Sequence, residues 1–208
     1  MEMKKIIFVT GNRSKMDQLR FIVRHFQVPI EIISAREVYG ESLSYEEIGD
    51  TVEEVALNGA KEISTKISMP VITEDTDLRI DALNGEPGIR AGAFLKQFGR
   101  QEILKRMEGV FNRRATISSA VAYAQQDGFS KTFVNRVYGQ IHTTEKFGNF
   151  PAWVSPTDTN PLGGGYNSIF IPERSNVTLA EIKPEEAIHW SYREKNFIDV
   201  IQFIMALE

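Results

Sequence analysis

Two short stretches of this chain bring together the residue types that phosphate chemistry requires. The first is TGNRSK, residues 10–15, which ends an apolar run and places Lys15 where a helix begins. Gly11 lets the backbone approach a ligand closely, and a helix start turns N–H groups toward an anion. Lys15 adds a full positive charge. The spacing is not the G-x-x-x-x-G-K-[ST] of a Walker A loop, so the same residues also read as a strand-to-helix turn carrying a solvated lysine. The second stretch is ITEDTD, residues 72–77, where Glu74, Asp75 and Asp77 crowd the end of an apolar strand. Carboxylates so placed can hold Mg²⁺, which keeps several waters and takes its other ligands from carboxylates and phosphates. One of them could activate an attacking water. A polar loop after a strand has the same composition. Glu46 and Glu47, earlier in the chain, offer a further oxygen ligand or a solvated acidic pair.

Two later stretches suit recognition of a flat ring. GGGYNSIF, residues 163–170, is a close-approach loop running into a strand. HWSYREKN, residues 189–196, sets Arg193 beside Trp190 and Tyr192 just before a terminal helix. The planar fork of an arginine matches a base edge, while the aromatic rings read equally as packing for that helix. His25, His142 and His189 are scattered without metal-ligand spacing, and neither G-x-S-x-G nor any cysteine is present to support covalent acyl transfer.

The elements that must position these residues follow from periodicity. Residues 5–10 read as a buried strand, and 14–26 as a helix with Leu19, Ile22, Val23 and Phe26 on one face. Residues 29–34 are a second strand and 36–50 a polar loop. Thr51 caps a long helix with Glu54 as its capping-box partner, burying Val52, Val55, Ala56, Ala60, Ile63 and Ile67. Residues 70–75 and 78–83 read as two strands before the turn cluster NGEPG, and 101–108 as a helix. Residues 115–125 and 132–142 form a long antiparallel pair, 149–168 a loop, and 194–206 a final helix. Alternating strands and helices with a β-rich middle predict an α/β fold of two lobes with a cleft between them.

Composition sets the outer bounds. The chain has 208 residues, enough for one domain with a sizeable core, and a formal net charge of −4. A mildly acidic protein is a poor candidate for nucleic acid, though it can hold a small anion in one basic site. The absence of cysteine fits a reducing cytoplasm and rules out a disulfide framework or thiolate zinc site. The apolar run after the first five residues is too short for a signal-peptide core, and no later run approaches a membrane span.

Taken in order, the four stretches resemble the motifs of the inosine triphosphatase family, the non-canonical purine NTP pyrophosphatases. TGNRSK matches T-G-N-x-x-K. ITEDTDLRIDALNGEPGI matches D-D-S-G-L-x-[IV]-D-A-L-x-G-x-P-G-[VI]. GGGYNSIF is similar to G-[WF]-G-Y-D-P-[IV]-F, and TLAEIKPEEAIHWSYR to T-x-A-E-[ML]-x-x-E-E-K…S-H-R. The resemblance implies an elongated α/β fold with a long central mixed sheet, a nucleotide cleft between two lobes, and a homodimer. It also implies Mg²⁺-dependent attack of water between the α and β phosphates of a nucleoside triphosphate, giving a monophosphate and pyrophosphate. Carried over position by position, Thr10, Gly11, Asn12 and Lys15 hold phosphate. Asp75 is the catalytic carboxylate, assisted by Lys15, and Glu47, Asp75 and Glu74 are the metal's oxygen ligands. Gly164, Tyr166, Asn167, Ser191, Tyr192 and Arg193 face the base.

This chain departs from the pattern at several of those positions. The family's first-motif glutamate is Gln18, and the glycine of D-S-G is Asp77. In the helix motif E-N-A-x-x-K-A the Asn is Val55 and the phosphate-contacting Lys is Gly59. Lys61 does not replace it, since two residues along a helix rotate a side chain by about 200°. On the base side, the stacking ring is Gly164, the base-reading Asp is Asn167, its Pro is Ser168, the Lys of E-E-K is Ala187, and the His of S-H-R is Tyr192. The expectation is therefore a pyrophosphohydrolase with altered base specificity, against the alternative of a weakly active or inactive nucleotide-binding protein on the same scaffold.

Overall fold

The computed structural model describes residues 3–41, 43–148, 164–188 and 191–207. Its strands are β1 (Lys4–Phe8), β2 (Ile30–Ser34), β3 (Val71–Ile80), β4 (Pro87–Gly88), β5 (Arg114–Ala124), β6 (Ser130–Ile141) and β7 (Phe170–Pro172). The helices are α1 (Arg13–His25), α2 (Ala35–Tyr39), α3 (Val52–Ile67), α4 (Ala91–Arg106), α5 (Pro184–Ala187) and α6 (Glu194–Ala206). The strands form one seven-stranded mixed sheet in the order β2-β1-β3-β5-β6-β7, with β4 pairing β3. β1 runs parallel to β2, Ile6 opposite Ile32, and parallel to β3, Ile7 opposite Val71. Parallel neighbours need crossovers, which α1 and α3 provide. β4 pairs β3, and β7 pairs β6, antiparallel.

By its contacts the chain divides into two compact units: residues 1–75, 119–135 and 193–208, and residues 76–118 and 136–192. Strands β3, β5 and β6 contribute residues to both. The core of the first unit gathers Ile6 and Phe8 of β1, Leu19, Ile22 and Val23 of α1, and Phe197, Val200, Ile201 and Ile204 of α6. Phe8 meets the Phe197 ring edge-on at 5.6 Å. Burial of each such side chain stabilises the fold by about 1.5–3 kcal/mol. The second unit packs Leu78, Ile80, Ile103, Met107, Ile117, Ile169, Phe170 and Tyr192 into its own core.

α6 has the expected bounds, and α1 and α3 bury most of the expected faces, with Ile67 of α3 only half-buried. Phe26 lies beyond the end of α1 and is exposed. Three expectations are corrected. The polar stretch 36–50 begins with α2, whose capping box joins Ser34 and Glu37 in both directions. The two strands expected over 70–83 are one strand, β3, followed by a 3-10 turn at Asp81–Leu83; Glu74 and Asp77 each find a partner on neighbouring β5, and the strand runs on through them. The helix expected at 101–108 begins at Ala91, with Gly99 (φ 70°, ψ −179°) breaking it before Arg100. The loop expected at 149–168 falls outside the described residues as far as Gly163. Among the described residues no helix is long and apolar enough to cross a membrane.

Candidate active site

The TGNRSK stretch forms the β1–α1 turn. Thr10 Oγ1 accepts the Asn12 N–H at 3.0 Å, and Asn12 Oδ1 accepts the N–H of Ser14 at 2.9 Å and of Lys15 at 3.4 Å. The helix start expected to be open to an anion is thus capped in part by its own asparagine, among the strongest N-cap residues. Gly11 and Asn12 are exposed, and Thr10 is half-buried.

Lys15 does not stand out in solvent. Its Nζ pairs with Glu74 Oε2 at 2.8 Å and donates to the Glu74 carbonyl at 2.9 Å. Glu74 Oε1 accepts from Arg193 Nε at 3.0 Å and from Ser119 Oγ at 2.8 Å. Arg193 NH1 donates to Gln18 Oε1 at 2.9 Å, and Gln18 Nε2 donates to Glu194 Oε1. Asn196 Nδ2 donates to the Ser119 carbonyl at 2.6 Å. Two acids and two bases are therefore held together by amides in the first unit. A glutamate at 18 would set a second carboxylate against that of Glu194, which is 0% exposed; the amide of Gln18 answers both neighbours with opposite ends.

Glu74 and Asp75 are consecutive on a strand, so their side chains leave opposite faces. Glu74 points into this network, and its oxygens answer Lys15, Arg193 and Ser119 in place of the open metal position expected of it. Arg193, expected at the base, is held by Glu74 and Gln18. Asp77 is likewise engaged, accepting from Ser118 N at 3.1 Å and from Arg79 Nε at 2.8 Å.

α3 holds the two segments that carry the other acids, Glu47 and Asp75. Asn58 Nδ2 donates to the Ile48 carbonyl at 3.0 Å and Glu54 Oε2 accepts the Asp50 N–H at 2.8 Å, fastening the Glu47 loop to the helix. Glu54 N–H donates to Thr51 Oγ1 at 3.2 Å as the box requires, while the Glu54 carboxylate accepts the Asp50 N–H in place of that of Thr51. On the helix's other flank, Thr73 Oγ1 donates to the Ala56 carbonyl at 2.6 Å, fastening β3. Tyr45 registers the result. Burial, then the charges of Asp75, Glu74 and Glu47, hold its hydroxyl well above the usual phenol range. Its ring lies on Gly59, where an added Cβ would sit 2.4 Å from two ring carbons. The volume a longer residue at 59 would occupy is filled by Tyr45, while Lys61 is exposed.

Among the described residues no three His, Cys, Asp or Glu side chains form a ready-made metal cluster. Glu47, exposed, and Asp75, half-buried, act on one phenol and are hard oxygen donors. Such a pair fits Mg²⁺, which needs only one or two carboxylates beside water and phosphate.

The residues expected at the base, Arg193 excepted, lie in the second unit. Gly164 (φ 74°) and Gly165 (φ 54°) take successive left-handed conformations, and Asn167 N–H closes the turn on the Gly164 carbonyl at 2.9 Å. Tyr166 Oη donates to the Ala91 carbonyl at 2.7 Å, and Tyr192 Oη donates to Asn167 Oδ1 at 3.0 Å. Asn167, Ser191 and Tyr192 are buried.

Three participants were missed by the sequence reading. Tyr45 lies in a stretch with no periodicity to point it inward. Glu194 looks like an ordinary first-turn acid of α6. Arg100 is 5% exposed, and its Nε donates to the Gly165 carbonyl at 2.6 Å. Burial holds its guanidinium below the usual arginine range, opposed by the charge of Glu145. The available signal was Gly99, which breaks the helix and lets the next residue turn inward.

The sequence compares as the fold does. The model of the Ham1 family matches residues 6–203. A dITP/XTP pyrophosphatase of Thermococcus kodakarensis is 35% identical over 91% of this chain and 91% of its own length. One of Methanopyrus kandleri is 33% identical over 92% of this chain and 91% of its own. Among solved structures, a HAM1 protein from Coxiella burnetii superposes with a TM-score of 0.77 at 22% identity, over 98% of this chain and 99% of that one. The Staphylococcus aureus Ham1 protein gives 0.74 at 24% identity, over 97% and 98%. With the motif order, the mixed sheet and nearly the full length in agreement, the chain belongs to the Ham1 family.

Proposed function

We propose that this protein is a Mg²⁺-dependent nucleoside triphosphate pyrophosphohydrolase that cleaves altered purine nucleotides between the α and β phosphates, with a base preference of its own. The observation behind this reading is that, after burial, the charges of Asp75, from β3, and Glu47, from the loop before α3, both raise the Tyr45 hydroxyl, with Lys15 held on Glu74, the residue before Asp75. The names borne by its relatives agree with it. Glu47 and Asp75 would hold Mg²⁺, which when bound supplies neutralising charge to the phosphate oxygens.

This chain's own residues do the rest. Thr10, Gly11 and Asn12 shape the turn that receives phosphate. Lys15 has three N–H donors, two of them directed at Glu74. Glu74 so aims the ammonium that its remaining donor serves a phosphate oxygen. A water oxygen bonds to the α-phosphorus, its proton passes to an Asp75 carboxylate oxygen, and the bond to the β-phosphate breaks to release pyrophosphate. Gly164, Tyr166, Asn167, Ser191, Tyr192 and Arg193 would read the base. The working assembly in this reading is a homodimer.

The test is kcat/KM across ITP, dITP, XTP, the four common triphosphates and modified bases, with Mg²⁺ and with chelator, for the native chain and Asp75→Asn. The reading requires Mg²⁺-dependent turnover and a loss of about 10²–10⁴-fold in Asp75→Asn. It also requires that neither ITP nor XTP be the best substrate. Clear preference for either would remove the claim of altered specificity, and full activity of Asp75→Asn would remove the mechanism.

A further inference from the structure

Gly59 lies on the buried face of α3, in the interior of a helix of 16 residues. Glycine is a poor helix former, and the Tyr45 ring, which leaves no room for a Cβ at 59, accounts for it here. Two fastenings place that ring. Residues 56 and 59 are neighbours on one helix face, and the Ala56 carbonyl accepts Thr73 Oγ1 of β3 at 2.6 Å. Alternation along a strand sets Asp75 on the same face of β3 as Thr73, the face toward α3. On the loop side, Asn58 Nδ2 holds the carbonyl of Ile48, three residues on from Tyr45, at 3.0 Å. Tyr45 therefore covers the stretch of α3 that β3 is fastened to on Asp75's side. Burial, then the charges of Asp75, Glu74 and Glu47, move its hydroxyl further from ionising, so it stays an O–H donor.

That donor is unused among the described residues. Tyr123 Oη accepts from Gln125 at 2.7 Å, Tyr166 Oη donates to the Ala91 carbonyl at 2.7 Å, and Tyr192 Oη donates to Asn167 Oδ1 at 3.0 Å. The Tyr45 hydroxyl bonds to no described residue, and the three carboxylates act on it through charge alone. A tyrosine hydroxyl drawn out of water usually finds a hydrogen-bond partner. An acceptor brought in by a ligand meets that need. The helix position under the ring is the one where the family motif sets its phosphate-contacting lysine, and this chain has Gly59 there.

We propose that Tyr45 is a phosphate-contacting residue: from its seat on Gly59 its O–H donates to an oxygen of the substrate's polyphosphate, in place of the lysine that the family motif carries at 59. The inference rests on the proposed function, which brings polyphosphate and Mg²⁺ to Glu47 and Asp75.

The experiment measures, by calorimetry, pyrophosphate binding in the presence of Mg²⁺ and Mg²⁺ binding alone. The proteins are the native chain, Tyr45→Phe, Tyr45→Ala and the double variant Tyr45→Ala with Gly59→Lys, with kcat/KM on the best triphosphate and a urea midpoint for each. Tyr45→Phe keeps the ring on Gly59 and removes only the hydroxyl. It should weaken pyrophosphate binding by about 3- to 10-fold and lower kcat/KM by about 10- to 100-fold. Its urea midpoint should stay within about 0.3 M of the native one, because no bond within the protein is lost. The double variant should bind pyrophosphate about 10-fold more tightly than Tyr45→Ala, since a lysine then has room to reach the phosphates. Native affinity and turnover in Tyr45→Phe would overturn the inference and leave the proposed function standing, because loss of turnover in Asp75→Asn decides that separately. A lowered urea midpoint with unchanged affinity would give the hydroxyl a structural role and overturn it too. An equal loss of Mg²⁺ affinity without pyrophosphate would put the hydroxyl on the ion's water and overturn the phosphate contact. A double variant no tighter than Tyr45→Ala would overturn the exchange with lysine. If the native chain hydrolyses no triphosphate, the proposed function has failed and the inference falls with it.

Discussion

Glu74→Gln separates a structural role for this acid from the metal-binding role its motif suggests. The Glu74 side chain is 0% exposed, against 16% for Lys15 and 9% for Arg193. Gln is nearly isosteric, so packing is kept and the change is one of charge. Two cations are then left together out of water with no anion between them, Lys15 within 2.8 Å and Arg193 within 3.0 Å of the altered group. Breaking a buried pair on one side costs about 3–5 kcal/mol. That is a large part of the roughly 5–15 kcal/mol by which a domain is stable. With a urea slope of about 2 kcal/mol per molar, the midpoint should fall by about 1.5–2.5 M. Lys15→Met in the same chain removes one of the two cations and should recover part of the loss. Urea unfolding followed by circular dichroism measures both, and Mg²⁺ titration of the variant measures the alternative. A midpoint unchanged within about 0.3 M, together with lost Mg²⁺ affinity, would refute the reasoning and return Glu74 to the metal.

Gly59→Ala should destabilise by about 1–3 kcal/mol, because the new methyl meets the Tyr45 ring at 2.4 Å; in a Tyr45→Ala background the same change should be close to neutral, which a double-mutant cycle by urea unfolding checks. Tyr166 has its hydroxyl raised above the usual phenol range, first by burial. Its contribution to stability is therefore complete below the unfolded value near pH 10 and is lost as pH climbs from there toward the folded value. Tyr166→Phe should be less stable than the native chain at pH 8, where the bond to the Ala91 carbonyl is missing, and that gap should narrow above pH 10.

What the sequence discloses here is what short-range pattern can encode. α1, α3 and α6 follow from apolar residues at helical spacing, and the Thr51 cap from its own side chain. The short α2 escaped because a five-residue helix has no periodicity, though Ser34 and Glu37 carried its capping box. β3 read as two strands because Glu74, Asp75 and Asp77 look like loop residues until their partners are known. Those partners, Ser118, Ser119 and Arg193, come from distant positions, and no local rule supplies them. The same limit applies at the site. Asp75 stands out as an acid at a strand end, but the way α3 fastens both its strand and the Glu47 loop depends on bonds between distant residues. Tyr45 was invisible because the glycine it covers is significant only in three dimensions.

The phosphorus products decide whether the bond between the α and β phosphates is the one cleaved. Purified protein is incubated with Mg²⁺ and each triphosphate of the panel, and the products are followed by ³¹P NMR. A nucleoside monophosphate and pyrophosphate are expected in equal amounts, with no diphosphate at any time, and both signals should be lost in Asp75→Asn. Nucleoside diphosphate with orthophosphate, or no turnover of any triphosphate, would contradict the proposed function.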